Sequence, residues 1–143
     1  MTHDNDQTNQ TLAFGLIEAA DRLERRLDRA LSNTRGISFR EYQLLRELSR
    51  LYDGAATRVD LAAAVGLTPS AVTRALKPLE KLGYVVTHKS DRDARRSLAT
   101  LTAGGRELLA DAQGAVDGVM AQLSFPSTNR AQLIRLFNTL GAR

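Results

Sequence analysis

The sequence predicts a mainly α fold with a small β-wing. Three observations point to it. Apolar residues recur at three- and four-residue steps over most of the 143 residues. Within 57–82, two short helical stretches meet at Gly66. After them, two runs rich in strand formers, 84–87 and 98–101, flank a tip too polar to bury.

Residues 1–9 are polar and are expected to form a flexible tail. A long helix is predicted over 10–36. Leu12, Leu16, Ala19, Leu23, Leu27 and Leu31 make its apolar stripe, and Glu18–Arg22 and Asp21–Arg25 are spaced as pairs on the other face. The segment from Asn33 to Gly36 ends it. Ser38 with Glu41 forms a capping box for the next helix, whose core positions are Leu44, Leu45, Leu48 and Leu51. Tyr42 and Tyr52 suit the core edge, Asp53-Gly54 a turn, and Ala55-Ala56 a short extended link.

Thr57 with Asp60 is a second capping box, and Leu61, Ala62 and Val65 form the inner face of that helix. Gly66 can take positive φ at no steric cost and ends it. Thr68 is then an N-cap and Pro69 sits at the first helical position, where no backbone N–H is required. In the helix expected over 68–82, Val72, Leu76, Leu79 and Leu82 mark the buried stripe. Ser70, Thr73, Arg74 and Lys77 fall on the opposite face. Hydroxyls reach phosphates and base edges, and Arg can grip guanine through two hydrogen bonds, so this face suits a DNA major groove. Pro78 removes the hydrogen bond to the Arg74 carbonyl and should kink the helix beyond that face; a break at Lys77 is the rival expectation.

Gly83 stops the helix. The two strands that follow, with HKSDRDARRS between them, make a hairpin directly after a helix-turn-helix, which is the order of a winged helix. Arg92, Arg95 and Arg96 at the tip suit the negative potential of a narrow minor groove. Thr102 caps another helix, with Leu108, Leu109, Ala112, Val116, Val119, Met120 and Leu123 as its stripe. Gly104, Gly105, Gly114 and Gly118 each cost about 1 kcal/mol against Ala inside a helix, marking either a weak helix or close approach to a neighbour. Phe125-Pro126 breaks the chain. A last amphipathic helix is expected over 128–140 through Leu133, Ile134, Leu136, Phe137 and Leu140.

The net charge is +4, and residues 68–102 hold all of it, with seven cations against three anions. Concentrated positive charge is the footprint expected for a polyanion. The chain has no cysteine, which excludes disulfides, thiolate metal sites and thiol redox sensing. Its two histidines, His3 and His88, lie far apart in sequence, and neither a metal site nor a cofactor is expected. No apolar run approaches the roughly 20 residues of a membrane span. The polar N-terminus lacks a signal-peptide core, so a cytoplasmic protein is expected.

In this order and spacing, Leu79-Glu80-Lys81-Leu82-Gly83, Asp93-Ala94-Arg95 and Leu101-Thr102-Ala103-Gly104-Gly105 resemble the signature of the MarR family of bacterial transcription regulators. The resemblance covers nearly the whole chain and is sharpest over 61–108. It implies a homodimer. Residues 10–36 would be the N-terminal dimerisation helix, 37–102 the winged helix-turn-helix DNA-binding lobe, and 103–143 the C-terminal dimerisation helices. It implies a palindromic operator in double-stranded DNA, with helix 68–82 of each subunit in the major groove and wing 88–97 in the minor groove. Ser70, Thr73, Arg74 and Lys77 then face DNA. Arg95 reaches into the minor groove, with Asp93 holding its guanidinium, or acting as a solvated turn former. Arg92 and Arg96 contact phosphate. Thr68 caps the helix and presents a backbone N–H to phosphate.

Many relatives bind a small ligand, often an anionic aromatic, between the dimerisation region and the DNA-binding lobe. The resemblance permits such a site here, and a repressor released by a small ligand is expected. Tyr42, Arg22 and Arg46 suit that site here, beside plain packing and surface roles. A winged-helix protein–protein interaction module without operator binding is the competing function. Cations on both helix and wing favour DNA, and steep weakening by salt would separate the two. An enzyme is not expected, because the chain has no Ser-His-Asp order, phosphate-binding glycine loop or metal cluster.

Overall fold

Local capping chemistry sets most of the element boundaries. In α2 (Phe39–Arg50), Ser38 Oγ accepts from the Glu41 amide at 3.1 Å while the Ser38 amide donates to Glu41 Oε2 at 2.8 Å. The same reciprocal box opens α3 (Arg58–Val65), with Thr57 Oγ1 accepting from the Asp60 amide at 3.1 Å. Gly66 closes α3 at φ 67°. Thr68 then caps α4 (Pro69–Lys81) by accepting from the Ala71 amide at 3.2 Å. Each such cap satisfies amides that the helix leaves open.

The computed structural model describes residues 2–51, 55–93, 95–125, 127 and 129–141. Tyr52, the Asp53-Gly54 turn, Ala94 of the wing motif and the break at Pro126 lie outside the described residues. The remaining elements are α1 (Thr2–Arg35), β1 (Ala55–Thr57), β2 (Val85–Lys89), β3 (Ser97–Leu101), α5 (Ala103–Ala121) and α6 (Arg130–Gly141). The three strands form one antiparallel sheet in the order β1-β3-β2. Among the described residues, no helix is long and apolar enough to cross a membrane.

The core is built from aliphatic side chains, as the scarcity of aromatics requires. Leu31, Leu44, Leu45, Leu48, Leu61, Leu76, Leu79 and Leu108 are fully buried, with Val72 and Val85. They come from α1, α2, α3, α4, α5 and the wing, so the winged lobe and the inner parts of α1 and α5 share one interior. Gly105 explains one tight joint. A Cβ there would sit 2.1 Å from the Tyr84 carbonyl oxygen, so only glycine lets α5 approach the start of β2. At Gly114 and Gly118 an added Cβ meets nothing within 4 Å, so close approach within the chain applies to Gly105 and not to them.

Several expectations are corrected. The tail expected over 1–9 is helical from Thr2, because nothing before Gly15 interrupts a helix; only residue 1 lies outside the description. The stripe of α1 is buried only toward its C-terminal end, at Leu27 and Leu31, while Leu12 is 67% exposed. Ala55-Ala56 is more than an extended link. It forms β1, and its strand state comes from pairing with β3 at Ala55↔Thr100 and Ala56↔Ala99. Leu82 is not part of the buried stripe. It is the C-cap of α4, and the turn at Gly83, φ 79°, leaves it 67% exposed. Pro78 lies inside α4, which runs unbroken to Lys81, so the break at Lys77 does not occur.

Candidate nucleic-acid interface

The first turns of α4 present a polar face. Ser70, Thr73, Arg74 and Lys77 are all exposed and fall at helical spacing on the side opposite the buried Val72, Leu76 and Leu79. The Thr73 hydroxyl donates to the Pro69 carbonyl at 3.0 Å, which fixes its rotamer and leaves its lone pairs free to accept. Thr68 is exposed at the N-terminus of the same helix, where its hydroxyl holds the Ala71 amide.

The wing tip is folded by its own backbone. The Ser90 amide donates to the Arg96 carbonyl at 2.8 Å, and the Arg96 amide donates to the Asp93 carbonyl at 2.9 Å. The Arg92 amide donates to Ser90 Oγ at 3.3 Å. Asp93 Oδ1 accepts from the Arg95 backbone amide at 3.0 Å. Asp93 Oδ1 thus holds the Arg95 main chain, and among the described residues no ion pair joins Asp93 to the Arg95 guanidinium. A short carboxylate reaches an amide two residues on more readily than the end of a long side chain, which makes Asp93 a turn former. Arg92, Arg95 and Arg96 are exposed. Among the described residues, none of Arg74, Lys77, Arg92, Arg95 and Arg96 makes an ion pair, so all five charges stay free for a polyanion.

One network tying these two clusters together is not foreseen from the sequence. Arg58 Nη2 donates to Glu80 Oε1 at 2.8 Å and to Thr87 Oγ1 at 3.0 Å, and the Thr87 hydroxyl donates to the same carboxylate oxygen. The three residues belong to α3, α4 and β2. The signals that could have found it are small. Arg58 occupies the first position of α3, where an acid suits the helix dipole better, and strand alternation puts Thr87 on the face of the buried Val85.

A second feature lies away from this surface. A cleft of about 510 Å³ opens between α1, α2 and α5, lined among others by Leu23, Phe39, Tyr42, Arg46, Gln113 and Asp117. The Tyr42 hydroxyl donates to Gln113 Oε1, and Gln113 Nε2 donates to Asp117 Oδ1 at 2.8 Å. Burial raises the Tyr42 phenol above its ordinary 10.0; Asp117 adds to the rise and Arg46 opposes it. Of the three residues that could contribute to a ligand site, Tyr42 and Arg46 line this cleft. Arg22 does not, and instead pairs with Glu18 at 3.2 Å in solvent. Gln113 and Asp117 carry no signal in the sequence, because only the packing of α5 against α2 brings them to Tyr42.

The fold and the cationic surface together define a winged-helix protein. Residues 35–96 match the MarR family. Sco3205, a MarR family transcriptional regulator from Streptomyces coelicolor solved in complex with DNA, is similar at 30% identity and a TM-score of 0.82, covering 92% of this chain and 84% of that one. CouR from Rhodococcus jostii RHA1, solved bound to p-coumaroyl-CoA, is 27% identical over 90% of each chain, with a TM-score of 0.79. The transcriptional regulator BldR from Sulfolobus solfataricus shares the fold, at 20% identity, a TM-score of 0.82 and coverage of 93% and 94%. Comparison with curated proteins gives no match. The chain belongs to the MarR family of winged-helix transcriptional regulators.

Proposed function

We propose that the chain is a homodimeric, sequence-specific DNA-binding repressor that acts in the cytoplasm and releases a palindromic operator when a small ligand binds. The observation that carries this reading is the set of free cations and hydroxyls on α4 and the wing, placed on two elements that adjoin at Gly83. Ser70, Thr73, Arg74 and Lys77 read the major groove. Arg95 enters the minor groove, Arg92 and Arg96 hold phosphates, and Thr68 offers the helix N-terminus to phosphate. Asp93 shapes the tip. The DNA complex of Sco3205 supports this assignment by similarity.

Dimerisation is assigned to residues 10–36 and 103–143, with 37–102 as the DNA-binding lobe. The exposed apolar faces of α1 and α6 support that division. Leu12, Phe14 and Ile17 on α1 and Ile134, Phe137 and Leu140 on α6 are all exposed. Leaving such side chains in water forgoes about 1.5–3 kcal/mol each, which a second copy would recover. The ligand is assigned to the cleft beside Tyr42 and Arg46. Its apolar walls suit an aromatic ring and Arg46 an anionic group on it, although Glu24 and Asp117 also line the cleft, and the ligand complex of CouR supports a ligand by similarity.

The test is binding to a duplex that the wild-type chain selects from a randomised pool, measured by fluorescence anisotropy over a salt series. Specific binding that weakens steeply with salt is expected. Arg74→Ala should cost about 1–3 kcal/mol of operator binding if Arg74 reads a base. Salt-insensitive binding, or no selected sequence, would contradict the proposal.

A further inference from the structure

We propose that Arg58 is a positioning residue: its guanidinium locks the wing to α4 and so sets the separation between the major-groove and minor-groove reading heads. The inference rests on the DNA-binding function proposed above. It starts from the sheet. β1 pairs with β3 only from Thr57↔Leu98 inward to Ala55↔Thr100. Beyond Leu98 the wing is two-stranded, and an isolated two-stranded hairpin is marginally stable in water. Whatever fixes its angle must act near the end of β1.

Arg58 stands at that point. It directly follows the last residue of β1, and its side chain is 17% exposed. One nitrogen reaches both Glu80, in the last turns of α4, and Thr87 on β2. Thr87 pairs with Ala99, one step inside the last β1 pair. The triad therefore joins α3, the C-terminal end of α4 and the base of the free hairpin. Because the Thr87 hydroxyl accepts from Arg58 and donates to Glu80, rotation of the wing about its base breaks both of that hydroxyl's hydrogen bonds.

Stability alone does not account for Arg58. A cation in the first turn of a helix opposes the macrodipole. Its Nη1 is buried with no hydrogen-bond partner among the described residues, which is costly. The pair with Glu80 is only partly buried, at 17% and 30% exposure, and even fully buried ion pairs are often replaceable by apolar side chains without loss of stability. A local rule broken in this way is expected where function requires it. Glu80 also offsets the Arg58 charge beneath Arg95 and Arg96, which line a notch with Thr57 and Arg58. Without that offset, like charges would push the wing away.

The experiment uses the full chain and the duplex selected by the wild type. Thr87→Val keeps shape and strand propensity but loses the hydroxyl, Thr87→Ser keeps the hydroxyl, and Arg58→Met removes the charge. Hydroxyl-radical footprints and the salt dependence of binding are recorded for each. Thr87→Val and Arg58→Met should keep the central major-groove protection and lose the flanking protection. The slope of log K against log salt should flatten by about 0.9 for each phosphate that the wing no longer neutralises, although Arg92 and Arg96 are still present. Thr87→Ser should match the wild type. If Arg58→Met fails to fold, Thr87→Val decides. Wild-type flanks and slope in Thr87→Val, or equal losses in Thr87→Ser, would overturn this inference alone. A wild-type chain that selects no duplex would overturn the DNA-binding function and this inference with it.

Discussion

The winged lobe and the helical arms solve the burial problem differently. In the lobe, Leu44, Leu45, Leu48, Leu61, Leu76 and Leu79 are sealed from water by α2, α3, α4, the sheet and the inner parts of α1 and α5. In the arms, α6 buries no residue at all, and the N-terminal half of α1 leaves Leu12, Phe14 and Ile17 in solvent. The two regions have similar apolar periodicity, so periodicity does not distinguish them. The difference is whether the chain itself supplies the covering surface. A region that covers itself needs no partner to bury its apolar face, whereas the arms need one, which the proposed second copy would supply.

The largest expected effect tests the self-covered side. Leu76→Ala should destabilise the lobe by about 2–5 kcal/mol, because a fully buried side chain leaves a cavity. Urea unfolding followed by circular dichroism measures it, and the loss should be the same at all protein concentrations. Next comes the uncovered side. Leu136→Ser with Phe137→Ser should split the proposed dimer, removing about 1.5–3 kcal/mol of association per side chain. Light scattering should report single chains, and the melting temperature should lose its dependence on concentration.

The joint between the two regions gives a smaller effect. Gly105→Ala places a Cβ against the Tyr84 carbonyl and should cost about 1–3 kcal/mol by overpacking, read by thermal melting. Gly114→Ala, with open space around it, should be neutral or stabilising in the same assay. The smallest effect concerns the cleft. The Tyr42 phenol is raised above 10.0, so the fold favours its neutral form. Its contribution to stability is complete below pH 10 and is lost as pH rises beyond that through the folded value. Tyr42→Phe should cost about 0.5–1.5 kcal/mol at neutral pH through the bond to Gln113, and should flatten the alkaline fall in stability.

What can be read from sequence is the chemistry that acts over a few residues. The boxes Ser38–Glu41 and Thr57–Asp60, the Thr68-Pro69 start and the turn at Gly66 depend on groups within one helical turn, and all are found where expected. The buried stripe of α4 is legible up to Leu79, and fails at Leu82 because the helix has already ended. β1 reads only as an extended link because three residues carry no alternation, and its pairing partner lies more than forty residues away. The site divides the same way. The exposed faces of α4 and the wing follow from periodicity and charge. The bond from the Arg95 amide to Asp93 is not legible in sequence, because it depends on the path of the tip. The triad of Arg58, Glu80 and Thr87 unites residues from three elements, and no local pattern announces such a meeting.

The central claim is that two cationic lobes, joined by arms that cover one another, engage one duplex. Sedimentation equilibrium of the wild-type chain, alone and with the selected duplex, tests it most directly. Twice the monomer mass is expected for the free protein, with two chains on each duplex. Single chains in solution, each binding DNA alone or not at all, would contradict it.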